Sequence, residues 1–168
     1  MPSIKINKNN PGGSFFLTLT VKNWFYVFDR HNRWEIIADS LEFCRKNKNL
    51  KIFSFVFMLN HIHLIVMSDD MISFVKSFKT FTSKEIHKNI IKNEPSVEKL
   101  FIDDKNVFSI WKSNNMPKII ESEKFLFQKM EYIHNNPVRK RYVNKPEDWY
   151  WSSANLCCKL KIDSLWEN

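Results

Sequence analysis

Residues 51–67 read KIFSFVFMLNHIHLIVM. The first half, 51–58, is apolar at nearly every position and rich in Phe and Val, which is the composition of a central strand covered on both faces. Leu59-Asn60 makes a tight connection, and 61–67 (HIHLIVM) reads as another strand. Strand side chains alternate between faces, so His61 and His63 project the same way with backbones about 6.6 Å apart. Two imidazoles so placed can converge on one divalent metal. Two histidines satisfied by hydrogen bonds in a partly buried strand give the same pattern, so context has to separate the readings.

Working outward, 14–21 (SFFLTLTV) alternates apolar residues with Thr behind Pro11-Gly12-Gly13 and reads as a strand. Residues 33–48 carry Trp34, Ile37, Ala38, Leu41 and Cys44 at helical spacing. A second helix over about 71–93 has Ile72, Val75, Phe78, Thr82, Ile86 and Ile90 on one stripe. Lys76, Lys79, Lys84, Lys88 and Lys92 line its other side, as a solvated face or a polyanion contact. Pro95 ends it. Residues 106–112 (NVFSIWK) are expected to form the fourth strand. Ser122 then caps a helix that runs through Tyr132 to about Asn135, where Pro137 is expected to stop it for want of an N–H. The order is that of a ferredoxin-like α+β antiparallel sheet (βαββαβ) with an additional C-terminal helix.

The chain has 168 residues, with 26 Lys plus Arg against 18 Asp plus Glu and a net charge of +8. That surplus favours a polyanionic partner and says nothing of the fold. With 43% hydrophobic residues, 15 of them Phe, wholesale disorder is excluded and one domain is expected, with its core over about 14–154 and a tail over 155–168. Cys44, Cys157 and Cys158 have neither metal-pair spacing nor the count of a disulfide framework, so a reducing cytoplasm is expected. The polar N-terminus lacks the apolar core of a secretory signal. The apolar stretch 52–67 is too short, and too interrupted by Ser54, Asn60, His61 and His63, to cross a membrane.

The segment 131–139 (EYIHNNPVR) supplies the context. Tyr132 and Asn136 stand four residues apart and share a helix face, so a phenol and a carboxamide can reach a metal site on a neighbouring sheet. A boundary tyrosine and a helix-terminating asparagine would look the same.

Three blocks in order decide between them: FVFMLNHIHLIV (55–66), SFKTFTSKEI (77–86) and YIHNNPVRKRYVNKPEDWYWSSA (132–154). Together they resemble the HUH single-tyrosine transposases, most closely the REP-associated branch, over about 14–154. The resemblance implies that His61-Ile62-His63 is the His-hydrophobic-His metal motif, Tyr132 the nucleophile and Asn136 the third metal ligand, with Mg2+ or Mn2+ as the working ion. It implies cleavage of single-stranded DNA at imperfect-palindrome hairpins, leaving a 5′-phosphotyrosine and a free 3′-OH that reversal rejoins. A phenol of ordinary pKa, about 10, is a poor nucleophile at neutral pH, so metal or cations such as Lys129 and Arg139 are needed beside it.

DNA contacts are expected from Arg139, Lys140, Arg141 and Lys112. Trp111, Trp149, Tyr150 and Trp151 are candidates for base stacking, with ordinary packing favoured for Trp149 and Trp151. Related insertion-sequence enzymes are dimers, so a homodimer is one possible assembly. The sequence departs from the family pattern at Leu59, where Pro is usual, and at Lys140-Arg141, where a small residue and Gly are usual. His31, His87 and His134 match no metal motif. A non-catalytic nucleic-acid-binding module would use Phe53, Phe55 and Phe57 for stacking, but the Gly-containing RNA-recognition signature is absent and the chain has 2 Gly. A zinc hydrolase would ask for a third His, Cys or carboxylate.

Overall fold

The computed structural model describes residues 13–115 and 117–165. The polar N-terminal segment read above lies outside the described residues except for Gly13. In chain order the elements are β1 (Ser14–Thr20), α1 (Arg33–Asn47), β2 (Lys51–Phe57), β3 (His61–Met67), α2 (Met71–Asn93), β4 (Lys118–Ile119) and α3 (Glu123–Arg139). The strands form one antiparallel sheet in the order β2-β3-β1-β4.

The alternation along β3 divides the molecule. Ile62, Leu64 and Val66, with Leu17 and Leu19 of β1, pack beneath Ile37 and Leu41 of α1 and Phe74, Phe78, Ile86 and Ile90 of α2. On the other face Phe16, Val56 and Ile65 pack against Leu126 and Ile133 of α3. Helices therefore cover both faces, as the nearly continuous apolar runs of β2 and β3 require. A register shift between Ile52 and Ser54 admits one extra residue, and Phe53 joins the α3 side while Ile52, Phe55 and Phe57 join the main core. Phe53, Phe55 and Phe57 are all buried, so none of the three offers a base the open ring that an RNA-recognition module uses. No helix among the described residues is long and apolar enough to cross a membrane.

Two expectations are corrected. Residues 106–112 form no strand: Trp111 and Phe108 make only isolated bridges, to Val21 and Ile102, and the fourth strand is the two-residue β4 beside Phe15 and Phe16. The helix from Ser122 does not stop before Pro137, which lies inside α3. There the proline forfeits the N–H bond to the carbonyl four residues back and crowds that carbonyl, a cost confined to the last turn of the helix. What ends the helix is Arg141, in the left-handed region at φ 59°. The Tyr142 N–H donates to the Pro137 carbonyl (3.0 Å) and the Arg141 N–H to the Val138 carbonyl (2.9 Å), the paired bonds of a Schellman cap. Only Gly adopts that backbone freely. Arg141→Gly is expected to stabilise the chain by about 0.5–1 kcal/mol, a thermal midpoint higher by a few degrees, which calorimetry would detect.

The tail closes the outer edge of β2. The Phe57 N–H donates to the Trp151 carbonyl, Ser153 N–H to the Phe55 carbonyl, and Ile52 and Asp163 exchange two bonds. Covering an edge strand in this way blocks its use as a template for another chain. Cys158 and Leu160 are buried in the main core, so the fold extends beyond Ala154.

Candidate active site

His61 and His63 lie on the face of β3 that α3 covers, opposite Thr20 and Thr18 of β1. Both are buried, with ring centroids 4.8 Å apart. The Nδ1 of His61 lies 2.8 Å from Asn60 Oδ1. The Asn60 amide nitrogen donates to the Trp24 carbonyl at 2.9 Å, which fixes that amide's orientation and makes His61 Nδ1 the donor. The Nδ1 of His63 lies 2.8 Å from the Thr18 hydroxyl. Each ring is thus held through Nδ1, leaving Nε2 for another partner, as in histidines that ligate metals. The Nε2 of His63 is buried and has no hydrogen-bond partner.

An unsatisfied buried nitrogen costs about 1–3 kcal/mol, and a missing ion is one of its standard explanations. Burial, then the Lys140 charge, lowers His61 to about 4. Burial, then the charges of His61, Arg139 and Lys129, lowers His63 to about 3. Both rings are therefore neutral at physiological pH, which is the ligating form. These residues fit a divalent metal. No group of three or more His, Cys, Asp or Glu able to hold a metal occurs among the described residues, so a third protein donor would come from an amide or hydroxyl and a zinc-hydrolase ligand set is absent there.

Helix α3 brings Tyr132 to the pair from the same chain. Its ring meets His63 edge-on at 5.2 Å between centroids and Phe16 at 6.1 Å, and the residue is 39% exposed. Two cations bracket it: the Arg139 guanidinium lies 4.4 Å and the Lys129 ammonium 5.3 Å from the ring centroid. Arg139 also donates to the Tyr132 carbonyl at 2.7 Å, which anchors its guanidinium against that residue from two helical turns further along α3. Asn136 is buried one turn beyond Tyr132.

The fold is shared with a tyrosine transposase. A REP-associated tyrosine transposase solved bound to a REP hairpin superposes with a TM-score of 0.67 at 16% identity, over 100% of this chain and 98% of that one. An uncharacterized protein of Haemophilus influenzae is 24% identical over 148 residues, covering 75% of this chain and 81% of the relative. No family model matches the chain.

The residues expected to contact DNA separate in the structure. Arg139 lies against Tyr132, and Lys140 is close enough for its charge to act on His61. Arg141 is exposed at the helix cap. Lys112 places its ammonium 3.9 Å above the Trp24 ring. Trp111 is the correction: it is 2% exposed, its indole N–H donates to Thr82 Oγ1 at 2.9 Å, and its ring packs on Phe28. An indole with no open face cannot stack on a base. Trp149 and Trp151 are packing residues, the first donating to the Phe57 carbonyl, the second stacked on Phe57.

His134 stays outside the site, bonded to Ser54 and Ser153. Asn60 and Thr18, which aim the two imidazoles, are missed by the sequence reading. Thr18 could be found only from strand register, whereas Asn60 immediately precedes His61 and was within reach of the motif.

The lowered histidines have a thermodynamic consequence. The unfolded chain takes up protons at His61 and His63 with the ordinary pKa near 6.5, while the folded chain resists until about 4 and 3. Between those limits the unfolded state binds more protons, so stability falls as pH falls. From pH 7 to pH 5 the metal-free chain is expected to lose on the order of 3 kcal/mol, with burial of His134 acting in the same direction. Urea midpoints at three pH values check this; a flat profile would contradict it.

Proposed function

We propose that the chain is a metal-dependent DNA strand transferase that cuts and rejoins single-stranded DNA at hairpin-bearing ends through a 5′-phosphotyrosine. The observation that carries this reading is the meeting, within one chain, of Tyr132 with His63, whose buried Nε2 has no partner. The strand order β2-β3-β1-β4 with a helix laid across it supports the ferredoxin-like architecture of such enzymes. The shared fold with a transposase bound to a REP hairpin supports hairpin-bearing DNA as the partner.

Bound by His61, His63 and Asn136, Mg2+ or Mn2+ would polarise the scissile phosphate and stabilise the departing oxygen. Tyr132 is the nucleophile. Its phenol gives up a proton, its oxygen bonds to phosphorus, the bond from phosphorus to the 3′ oxygen breaks, and that oxygen takes up a proton to become a hydroxyl. Lys129 and Arg139 offset the negative charge that builds beside the ring during attack. The phosphodiester kept on Tyr132 allows the reverse attack by a 3′-OH without ATP.

Arg139, Lys140, Arg141 and Lys112 neutralise phosphates, each steepening the salt dependence of single-strand binding by about 0.7 log units. Because Tyr132 and the histidines meet within one chain, a homodimer is not needed to complete the site. Incubation with labelled hairpin-bearing single-stranded DNA and Mn2+ should give a covalent adduct on a denaturing gel. Cutting with no adduct, or an adduct that forms with all divalent metal chelated, would overturn the reading.

A further inference from the structure

We infer that Trp24 is a stacking platform for the base of a nucleotide beside the scissile phosphate, an assignment that rests on the single-strand reading above. It is the exposed tryptophan among the described residues, at 56%, while Trp34, Trp111, Trp149 and Trp151 are packed. Exposure alone means little, since single apolar side chains are common on surfaces. Three further observations point to a ligand.

The first is backbone conformation. The chain has 2 Gly, and left-handed positions fall mainly to Asn: Asn23, Asn32, Asn49 and Asn106. Trp24 is held there as well, at φ 57° directly after Asn23 at 56°. A bulky side chain in that region is a true outlier, and such strain collects at functional sites. The second is its tether to the metal-type pair. Asn60 donates to the Trp24 carbonyl and accepts from His61, so one side chain fixes the position of both, and the indole and His61 rings meet edge to face with centroids 6.5 Å apart. The third is charge. Lys112 covers one indole face at 3.9 Å, and Lys79 donates to the Lys112 carbonyl at 2.7 Å. The Lys22 charge also reaches Lys79. Only one face of the ring is occupied by that cation, and the basic side chains around it suit the phosphates on either side of a base. An aromatic face within a cationic groove is how single strands are held without sequence readout.

The test scans one abasic nucleotide through the positions flanking the cleavage site of a labelled hairpin-bearing strand. Anisotropy of the label gives affinity, and adduct yield is scored in the same series for wild type, Trp24→Leu and Trp24→Tyr. With the wild type, one abasic position should weaken binding about ten-fold. Trp24→Leu should bind the intact strand about ten-fold more weakly and be indifferent to the abasic lesion at that position, while Trp24→Tyr restores most of the affinity and the sensitivity. If the wild type forms its adduct and Trp24→Leu still shows the full abasic penalty, or binds intact strand as the wild type does, the inference is wrong and the transferase reading stands. If Trp24→Tyr is as weak as Trp24→Leu despite an unchanged thermal midpoint, stacking is not what Trp24 supplies. A wild type that forms no adduct overturns the transferase reading and the inference with it.

Discussion

Tyr132→Phe is expected to abolish the covalent adduct while leaving the fold and single-strand affinity in place. The ring, not the hydroxyl, makes the contacts seen around this residue: edge-on to His63 and Phe16, and beneath Lys129 and Arg139. Phenylalanine keeps them. Arg139 stays anchored because it bonds to the backbone carbonyl of residue 132. The hydroxyl lies on a residue 39% exposed, so its loss leaves no buried group unpaired and stability should change by less than about 0.5 kcal/mol. The chemistry is different in kind. Without the attacking oxygen no phosphotyrosine can form, and removal of a nucleophile lowers turnover by at least roughly a thousand-fold even where the rest of a site persists. A denaturing gel with Mn2+ and hairpin-bearing DNA reads the adduct; anisotropy reads affinity, expected within about two-fold of wild type. An adduct surviving the substitution would assign the nucleophile elsewhere.

The parts of this site that the sequence discloses are those set by short periodic patterns. His61 and His63 share a face because a strand repeats every two residues, and both faces of β3 are buried, which holds the register. Tyr132 and Asn136 share a face because a helix brings residues four apart together. What fails is decided by tertiary packing. Two residues cannot display a period, so β4 is invisible; it exists because Phe15 and Phe16 offer an edge to Lys118 and Ile119. Residues 106–112 have strand-like composition for another reason. Ile110 and Trp111 are buried across the end of β1, where the Lys22 N–H donates to the Ile110 carbonyl and the Lys112 N–H to the Thr20 carbonyl, with Ser83 and Thr82 of α2 taking the remaining donors. Burial explains their apolarity, and it removes Trp111 from any contact with DNA. The end of α3 misled because Pro137 is the stronger local signal, whereas a left-handed Arg141 gives no compositional cue. Trp24, another bulky residue in that backbone region, borders the candidate site beside His61.

His63→Leu is expected to remove metal binding and yet leave the metal-free chain at least as stable. In the folded chain His63 is 5% exposed with its Nε2 unpaired, a state that costs about 1–3 kcal/mol. Leucine of similar bulk takes away that buried polar atom. What it forfeits is the stacking on Phe16, at 5.5 Å, the edge-on ring contacts with Tyr132 and His61, and the partner of the Thr18 hydroxyl, which is only half-buried and open to water. The balance favours an unchanged or higher thermal midpoint, and it also removes part of the loss of stability on acidification, because one lowered histidine is gone. The proposed metal binding depends on the same nitrogen. Wild type should gain about 2.7 kcal/mol at a Mn2+ concentration one hundred times its dissociation constant, seen as a higher midpoint in calorimetry. The variant should gain nothing at that concentration, an affinity loss of at least roughly a hundred-fold. A wild type whose midpoint does not respond to Mn2+ or Mg2+ would remove the metal from the mechanism. A metal-free variant destabilised by more than about 2 kcal/mol would make His63 a packing residue whose ring the core requires. A side chain whose replacement strengthens the fold while ending metal binding is retained for its chemistry, and at His63 the unpaired nitrogen is the atom that carries both effects.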